Sequence, residues 1–315
     1  MKQLVVATVN PEILKTFLKT AFLFEDPKEE YELLIYPDQR KLNVEDLESV
    51  IKDLKLKLKY RIIDLKPVDF LLNFLGTTDK KVISYIRNQT HHLKITVMLD
   101  LWKRGITEFL FLDDDTIILK DLSKLFETNT LYGFLLRNHL YYVHRNSPEN
   151  MREFENFLDI VQIDNWETIF SYTEKFIKMG QYNAGHFKMI LTEDFIEAVK
   201  RFYLNEFLKE RFFYTAWDFE KDQPLEDASF YNKSFFDEQK FLTYYFYKNQ
   251  DRVTTEYLNR ESSVYMSYKE DEFLSFDYTT LKKKLSKNLI IHYVGKEKIP
   301  RANYFFNLKK PNLLF

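Results

Sequence analysis

Residues 109–119 contain three adjacent carboxylates between two apolar runs. This segment limits the number of folds that the chain can adopt. The run 109–112 contains only Phe and Leu, which is typical of a short strand buried on both faces of a sheet. Asp113, Asp114 and Asp115 then stand at the carboxyl end of that strand, where open α/β sheets bind ligands. Three neighbouring negative charges repel one another, and a bound cation would remove that cost. Because Mg²⁺ and Mn²⁺ take carboxylate oxygens and share them with substrate phosphates, the segment predicts a metal site, with a solvated acidic turn as the alternative.

Strands and helices alternate in the first part of the chain. Apolar, β-branched runs predict strands over residues 4–9, 31–36 and 61–65, and helical spacing predicts helices over residues 12–24 and 44–58. This order is typical of a Rossmann-like α/β fold with a mostly parallel central sheet flanked by helices. No Gly-rich loop follows the first strand, so the dinucleotide and P-loop fingerprints are absent. A nucleotide bound here would have to be held differently, by a metal.

One long helix is predicted over residues 82–104, ending before Gly105 and leading into the acidic segment. At about 100° per residue, Arg87, His91 and Lys94 fall on one side of this helix. These side chains could face a ligand, and a solvated helix face explains them equally well.

The second part of the chain predicts two more strands, over residues 132–136 and 182–190, and a helix over residues 236–246. Residues 139–180 are polar and aromatic and fit no element of the sheet. We interpret them as an insertion that covers or extends the site.

A late buried strand over residues 289–295 carries His292 and ends at Gly295. Three cations follow it, which are Lys296, Lys298 and Arg301. A single histidine near a strand end is usually structural. Here a glycine turn and a group of cations follow it, and that combination suits an anionic phosphate group.

The composition excludes several classes of protein. With 315 residues and 45% hydrophobic residues, the chain can bury the core of one large domain. A net charge of −2 argues against a mainly electrostatic nucleic-acid binder, although a local basic groove stays possible. The absence of cysteine excludes disulfides, thiol catalysis and Cys-ligated zinc. The apolar run at the N-terminus is too short for a signal peptide and no run is long enough for a membrane span, so we expect a soluble, cytoplasmic protein.

Four segments, in this order along the chain, resemble the motifs of glycosyltransferase family 8, which includes glycogenin and bacterial lipopolysaccharide galactosyl- and glucosyltransferases. Residues 111–126 (FLDDDTIILKDLSKLF) resemble its core motif, an apolar strand, Asp-x-Asp, a second apolar strand and Asp-Leu before a short helix. Residues 182–186 (YNAGH) resemble its Asn-(Ala/Ser)-Gly segment, and residues 238–239 (EQ) its Asp-Gln segment. Residues 290–298 (IIHYVGKEK) resemble its late His-x-x-Gly-x-x-Lys motif.

The resemblance implies a GT-A fold, and a single domain over residues 1–315 with the insertion at about 139–180 and a C-terminal extension after about 300. It also implies a hexosyltransferase that takes a UDP-sugar donor and retains the anomeric configuration. Mn²⁺ or Mg²⁺ would be held by Asp113, Asp115 and His292.

The resemblance further implies a set of residues around the donor and the sugar. Those implied to bind the donor are Thr8, Asn10, Arg87, Lys94, Asp114, Gly295 and Lys298. Those implied to lie at the reacting sugar are Asn183, Glu238 and Gln239. Of these, Gln239 is implied to lie on the face of the sugar where a nucleophile would act.

The chain departs from the family pattern at several positions. Asp114 stands where the family usually has a small residue, and Glu238 stands where it has Asp. Asp222 with Gln223 is a rival match to the Asp-Gln segment. The late motif continues as Lys-Ile-Pro in place of Lys-Pro-Trp.

The sequence leaves the acceptor, the choice between glucose and galactose, and the oligomeric state open. A glycan, a protein or another hydroxyl compound could accept the sugar, and a modified nucleic acid is possible but not indicated. One alternative is a non-catalytic module that binds a glycan or protein on a degenerate transferase fold. Another is a nucleotidyltransferase, which would normally need a basic, Gly-rich loop after the first strand.

Overall fold

The computed structural model of the chain describes residues 1–136, 181–204 and 275–308, with gaps at 40, 53, 55, 89–92, 128–130, 202 and 294–297. Between 205 and 274 it describes four short strands and the helical residues 242 and 245. The predicted insertion at 139–180 lies outside the described residues, as does most of the predicted helix at 236–246.

The first five elements alternate between strand and helix, as predicted. They are β1 (Lys2–Thr8), α1 (Pro11–Thr20), β2 (Tyr31–Pro37), α2 (Val44–Ile51) and β3 (Lys59–Ile62). Helix α1 begins with a proline, whose fixed φ suits a first helical position. Its N-terminus is capped by the Asn10 side chain, which accepts hydrogen bonds from the backbone N–H groups of Glu12 and Ile13.

The middle elements bring the chain to the acidic segment. They are α3 (Pro67–Leu75), α4 (Lys80–Asn88), α5 (Leu93–Lys103), β4 (Glu108–Asp113), β5 (Thr116–Ile118) and α6 (Ser123–Phe126). The structure therefore describes two helices in the region of the predicted helix 82–104, on either side of residues 89–92. Strand β4 ends at the first of the three aspartates, as predicted.

The remaining elements complete two sheets. They are β6 (Leu131–Leu136), β7 (Gln181–Ile190), α7 (Glu193–Arg201), β8 (Trp217–Asp218), β9 (Gln223–Pro224), β10 (Glu256–Tyr257), β11 (Val264–Ser267), α8 (Tyr278–Lys284), β12 (Ile290–Tyr293) and α9 (Lys298–Asn307). Helix α9 begins at Lys298, just before the residues that the family resemblance assigns to a C-terminal extension. It packs on α1, where the Thr16 hydroxyl donates to the carbonyl oxygen of Ala302 at 3.2 Å.

The larger sheet has the strand order β10-β6-β7-β4-β1-β2-β3 within the described part of the chain. Strands β4, β1, β2 and β3 run parallel, and β7 runs antiparallel to both β4 and β6. This is the mostly parallel sheet flanked by helices that the sequence predicted.

The smaller sheet has the order β11-β12-β5 and joins the larger sheet at the acidic segment. Strand β5 starts three residues after Asp113, and β12 pairs with it antiparallel so that His292 lies opposite Thr116. The backbone N–H of Tyr293 also donates to the Asp115 carbonyl oxygen at 3.0 Å. The smaller sheet therefore begins where the carboxyl end of β4 opens.

Side chains alternate between two apolar layers along the central strands. Phe111 of β4 stacks on Phe187 of β7, with ring centroids 5.1 Å apart, in the layer covered by α3, α4, α5 and α7. Leu110 and Leu112 point into the opposite layer, which contains α1, α2 and α6 and also Ile290 of the smaller sheet. A third layer, under α8 and α9, buries the other face of the smaller sheet. This packing fixes β4 and β12 relative to each other.

Asp121 anchors the chain just before α6. Its carboxylate accepts hydrogen bonds from the N–H of Lys28 at 2.8 Å, the hydroxyl of Tyr31 at 3.1 Å and the N–H of Ser123 at 2.9 Å. Burial acts to raise the pKa of Asp121, but these hydrogen bonds outweigh it and lower the pKa.

Candidate metal and donor site

Asp113, Asp115 and His292 converge at the junction of the two sheets. The Nε2 atom of His292 lies 3.0 Å from Oδ1 of Asp115 and 4.0 Å from Oδ2 of Asp113. One ligand atom from each residue lies within 4.8 Å of the other two. Asp115 and His292 are buried, and Asp113 is partly exposed, so the group opens to solvent on one side. Two carboxylates and an imidazole at these distances could together hold a divalent metal ion.

Two lysines hold the outer oxygens of the same carboxylates. Lys94 of α5 places Nζ 2.8 Å from Oδ1 of Asp113, and Lys298 of α9 places Nζ 2.6 Å from Oδ2 of Asp115. Each lysine thus takes the oxygen that does not face His292. The inner oxygen of each carboxylate stays directed at the imidazole, which is the arrangement a shared cation needs.

The ion pair with Lys298 affects the protonation of both partners. Burial acts to raise the pKa of Asp115, but His292 and Lys298 outweigh it and hold this pKa below its usual range. Burial acts to lower the pKa of Lys298, and the charge of Asp115 outweighs it and raises this pKa. Asp115 is therefore a carboxylate, and Lys298 an ammonium group, at neutral pH.

Asp114 lies apart from the Asp113–Asp115–His292 group. Its Oδ2 accepts a hydrogen bond of 2.7 Å from the Thr8 hydroxyl at the end of β1. Burial and the charge of Asp115 raise the pKa of Asp114 to about 7, although the bond from Thr8 acts in the opposite direction. The middle aspartate therefore joins the acidic segment to β1.

Among the described residues that were predicted to bind the donor, some lie near the Asp113–Asp115–His292 group and others do not. Asn10 donates its backbone N–H to the Thr8 hydroxyl, while its side chain caps α1. The Lys94 side chain is only 16% exposed, and Nζ lies 5.2 Å from the centre of the Phe111 ring. Arg87 is exposed on α4 and, among the described residues, forms no ion pair with the aspartates.

The residues predicted to lie at the reacting sugar are largely outside the described part of the chain. Glu238, Gln239 and Gly295 fall in undescribed segments. For Asn183 the structure describes the strand backbone of β7, where this residue lies opposite Gly133. The roles of all four stay predictions.

No sequence motif indicated a role for His186. This residue lies on β7 opposite Leu112, is fully buried, and places its ring 5.2 Å from that of His292 at 86°. Burial, and then the charges of His292 and Lys94, lower the pKa of His186 well below its usual range. The available signal was a histidine beside the Asn-Ala-Gly segment, on the strand next to β4.

Within the described residues, no helix combines the length and the apolar character that crossing a membrane requires.

No protein-family model matches the sequence, and no curated protein matches it significantly. Solved structures do match its fold. The WbbM bifunctional glycosyltransferase matches over 96% of this chain with 13% identity and a TM-score of 0.53, and the chain spans about half of that protein, 48%. Mouse xyloside xylosyltransferase 1 matches over 95% of this chain and 98% of its own, with 13% identity and a TM-score of 0.48. The galactosyltransferase LgtC, in complex with donor and acceptor sugar analogues, matches over 98% of both chains with 14% identity and a TM-score of 0.44. The match to WbbM, together with the sheet topology, confirms the predicted fold class, the glycosyltransferase fold of GT-A type.

Proposed function

We propose that this chain is a metal-dependent, retaining glycosyltransferase that moves glucose or galactose from a UDP-sugar to a hydroxyl acceptor. The observation that carries the proposal is the Asp113–Asp115–His292 group at the carboxyl end of β4. Lys94 and Lys298 pair with one oxygen of Asp113 and of Asp115, and the other oxygen of each carboxylate faces His292. A divalent cation that also binds a diphosphate would use these two oxygens and the imidazole together.

The charges around the site favour a dianionic ligand. Asp113 and Asp115 contribute two negative charges, and Lys94 and Lys298 contribute two positive charges. A divalent ion therefore adds positive charge to a balanced site, which the diphosphate of a nucleotide sugar would neutralise. When bound, such an ion supplies Lewis-acid stabilisation to a diphosphate leaving group.

Lys298 is the cation best placed to reach that diphosphate. Its side chain is 42% exposed and starts in the first turn of α9. The ammonium group could turn from Asp115 towards a phosphate oxygen without movement of the helix. Gly295, which lies outside the described residues, would add a backbone N–H, as the family resemblance implies.

The end of β1 would receive the nucleoside. Thr8 and Asn10 lie there, and the Thr8 hydroxyl connects this end to Asp114. Val9 between them is 45% exposed, so the surface above β1 is open to a ligand. Arg87 of α4 and Lys94 of α5 would lie on one side of the bound donor.

The reacting sugar would lie towards Asn183, Glu238 and Gln239. The supporting observation is the position of β7, which pairs with β4 and carries Asn183 towards the same edge of the sheet. Gln239 is the residue we would place beside the anomeric carbon. A glycan, a protein or another hydroxyl compound could be the acceptor, and the whole chain would form one catalytic domain.

The test is UDP release from UDP-glucose and UDP-galactose with Mn²⁺ or Mg²⁺, with the anomeric configuration of the product determined by NMR. Asp113→Asn, Asp115→Asn and His292→Gln should each lower turnover on the order of a hundredfold or more, because each removes a charge or ligand at the diphosphate. Glu197→Gln, on the surface of α7, is the control and should leave turnover unchanged.

Two outcomes would contradict the proposal. If all three variants keep both metal-dependent UDP binding and turnover, the metal site is wrong. If the wild-type chain binds UDP with metal but transfers to no acceptor and does not hydrolyse the donor, a non-catalytic binding module is the better description.

A further inference from the structure

His292 lacks the hydrogen bond that usually orients a metal-binding histidine. Such a histidine normally donates its second ring N–H to a carboxylate, carbonyl or water, which fixes the ring. The Nδ1 atom of His292 is buried and has no hydrogen-bond partner among the described residues. In this structure the contact of Nε2 with Oδ1 of Asp115, at 3.0 Å, orients the ring. A metal bound to Nε2 would take the place of that contact, so a further contact is needed to keep Nε2 directed at Asp113 and Asp115.

Hydrogen bonds of the neighbouring strands fix the backbone of His292. The orientation of its imidazole ring therefore depends on side-chain contacts. Strand β12 pairs with β5, which places His292 opposite Thr116, and Tyr293 donates to the Asp115 carbonyl. The second side-chain torsion of histidine has broad, roughly twofold preferences. Rotation by a half-turn would replace Nε2 with a carbon atom at the carboxylates.

The His186 ring stands where it can prevent that rotation. It is fully buried, lies 5.2 Å from the His292 ring, and meets it at 86°. His186 belongs to the larger sheet and His292 to the smaller one, so this contact bridges the two sheets at the candidate site. Its neighbour Phe187 points into the opposite apolar layer and cannot make this contact.

We propose that His186 is a positioning residue whose ring holds the imidazole of His292 in the orientation that presents Nε2 to a metal shared with Asp113 and Asp115. The inference rests on the metal site of the proposed function. It assigns to His186 no contact with the substrate and no proton transfer. It predicts that an aromatic ring at position 186 matters for metal binding and that its nitrogen atoms do not.

The experiment compares His186→Ala and His186→Phe with the wild-type chain. Calorimetry would measure Mn²⁺ affinity with and without UDP, and the absorption spectrum of bound Co²⁺, a substitute for Mn²⁺, would report the ligand geometry. His186→Ala should weaken metal binding about tenfold, as loss of an outer-shell contact does, and should alter the Co²⁺ spectrum. His186→Phe should keep most of the affinity and the wild-type spectrum.

Met189→Ala is the matched control. Met189 is buried on the same strand and faces the opposite layer, so its truncation lowers thermal stability without touching His292. This variant should bind Mn²⁺ as the wild-type chain does.

Three results would overturn the inference while leaving the proposed function intact. They are unchanged metal affinity and Co²⁺ spectrum in His186→Ala, equal losses in the Ala and Phe variants, and an equal loss in Met189→Ala. A wild-type chain that transfers sugar but binds no metal would overturn the inference together with the metal dependence. A wild-type chain that binds metal as expected but transfers no sugar would overturn the catalytic proposal alone.

Discussion

Lys94 of α5 and Asp113 of β4 form an ion pair of 2.8 Å at the open side of the candidate metal group. The pair uses Oδ1 of the carboxylate, so Oδ2 stays on the side of His292. Lys94 therefore orients Asp113 and also opposes the approach of a cation.

Replacing Lys94 by Met should make Mn²⁺ alone bind more tightly. A unit charge and a divalent ion about 5 Å apart repel by roughly 1–2 kcal/mol even at the permittivity of water, so the gain should be on the order of tenfold. UDP should increase the Mn²⁺ affinity less in this variant than in the wild-type chain, because the site then has less positive charge to bind the diphosphate. Titration calorimetry with and without UDP measures both quantities. Lys103→Met, at the exposed end of α5, should change neither of them.

Replacing Lys298 by Gln should weaken UDP binding in the presence of Mn²⁺. A charge-assisted hydrogen bond contributes about 1.5–3 kcal/mol, so the dissociation constant should rise roughly 10- to 100-fold. Ile299→Ala tests whether any change in this turn of α9 has the same effect. An equal loss in both variants would show that Lys298 acts only through helix position.

Asp114 should make the stability of the metal-free protein depend on pH. Its pKa is raised from 3.8 to about 7, so the folded state holds a proton that the unfolded state has released in that range. Stability should therefore fall as the pH rises from about 4 to 7, by on the order of 4 kcal/mol, and then level off. Asp114→Asn should lose this dependence, which urea denaturation in EDTA at several pH values would reveal. Parallel curves for the variant and the wild-type chain would refute this assignment.

Asp121 should stabilise the fold without influencing metal binding. Its pKa is lowered, so its contribution is present above the ordinary aspartate pKa and is lost as the pH falls through the folded value. Asp121→Asn keeps one acceptor and loses part of the bonding to Lys28, Tyr31 and Ser123, which should cost about 1–3 kcal/mol at pH 7. Chemical denaturation measures the loss. Tyr31→Phe removes the hydroxyl that donates to Asp121 and accepts from the backbone N–H of Leu122, so it should cost a similar amount. Both variants should keep the Mn²⁺ affinity of the wild-type chain.

Sequence patterns were sufficient for the alternating strands and helices of the first part of the chain. They also singled out Asp113, Asp115 and His292, which the structure brings within reach of one another. Apolar runs that end in Asp113 and Asp115, and a late run that contains His292, are local signals that need no coordinates. The rule that ligands bind at the carboxyl ends of strands placed Asp113 at such an end. It did not predict the meeting with His292, because His292 lies on a strand of the smaller sheet.

Tertiary contacts override the local helical signals at two predicted helix ends. The predicted helix over residues 12–24 ends at Thr20, because Leu23 and Phe24 donate backbone N–H groups to the β5 region at Ile118 and Leu119. Phe22 takes a positive φ of 57° in that turn, which no pattern of apolar spacing predicts. The predicted helix over residues 44–58 similarly ends at Ile51.

The side-chain contacts within the site depend on distances between atoms, which a sequence does not show. Nothing in the order of residues shows that Lys94 and Lys298 bind the outer oxygens, or that Asp114 turns to Thr8. His186 lies in the segment 182–186 that resembles a family motif, but its contact with His292 joins two strands of different sheets. Such a contact depends on how the smaller sheet packs.

The pairing of β5 with β12 sets the order in which the site can form. Thr116 meets His292 across 292 − 116 = 176 residues, whereas β1, β2 and β3 follow one another closely in the chain. Contacts between distant residues form slowly because a long loop must close first. During synthesis on a ribosome, β1, β2 and β3 could therefore fold together before β12, the partner strand of β5, has been made. The candidate site would be the last part of the described fold to be completed, so a nascent chain would carry no activity until the segment bearing His292 and Lys298 has emerged.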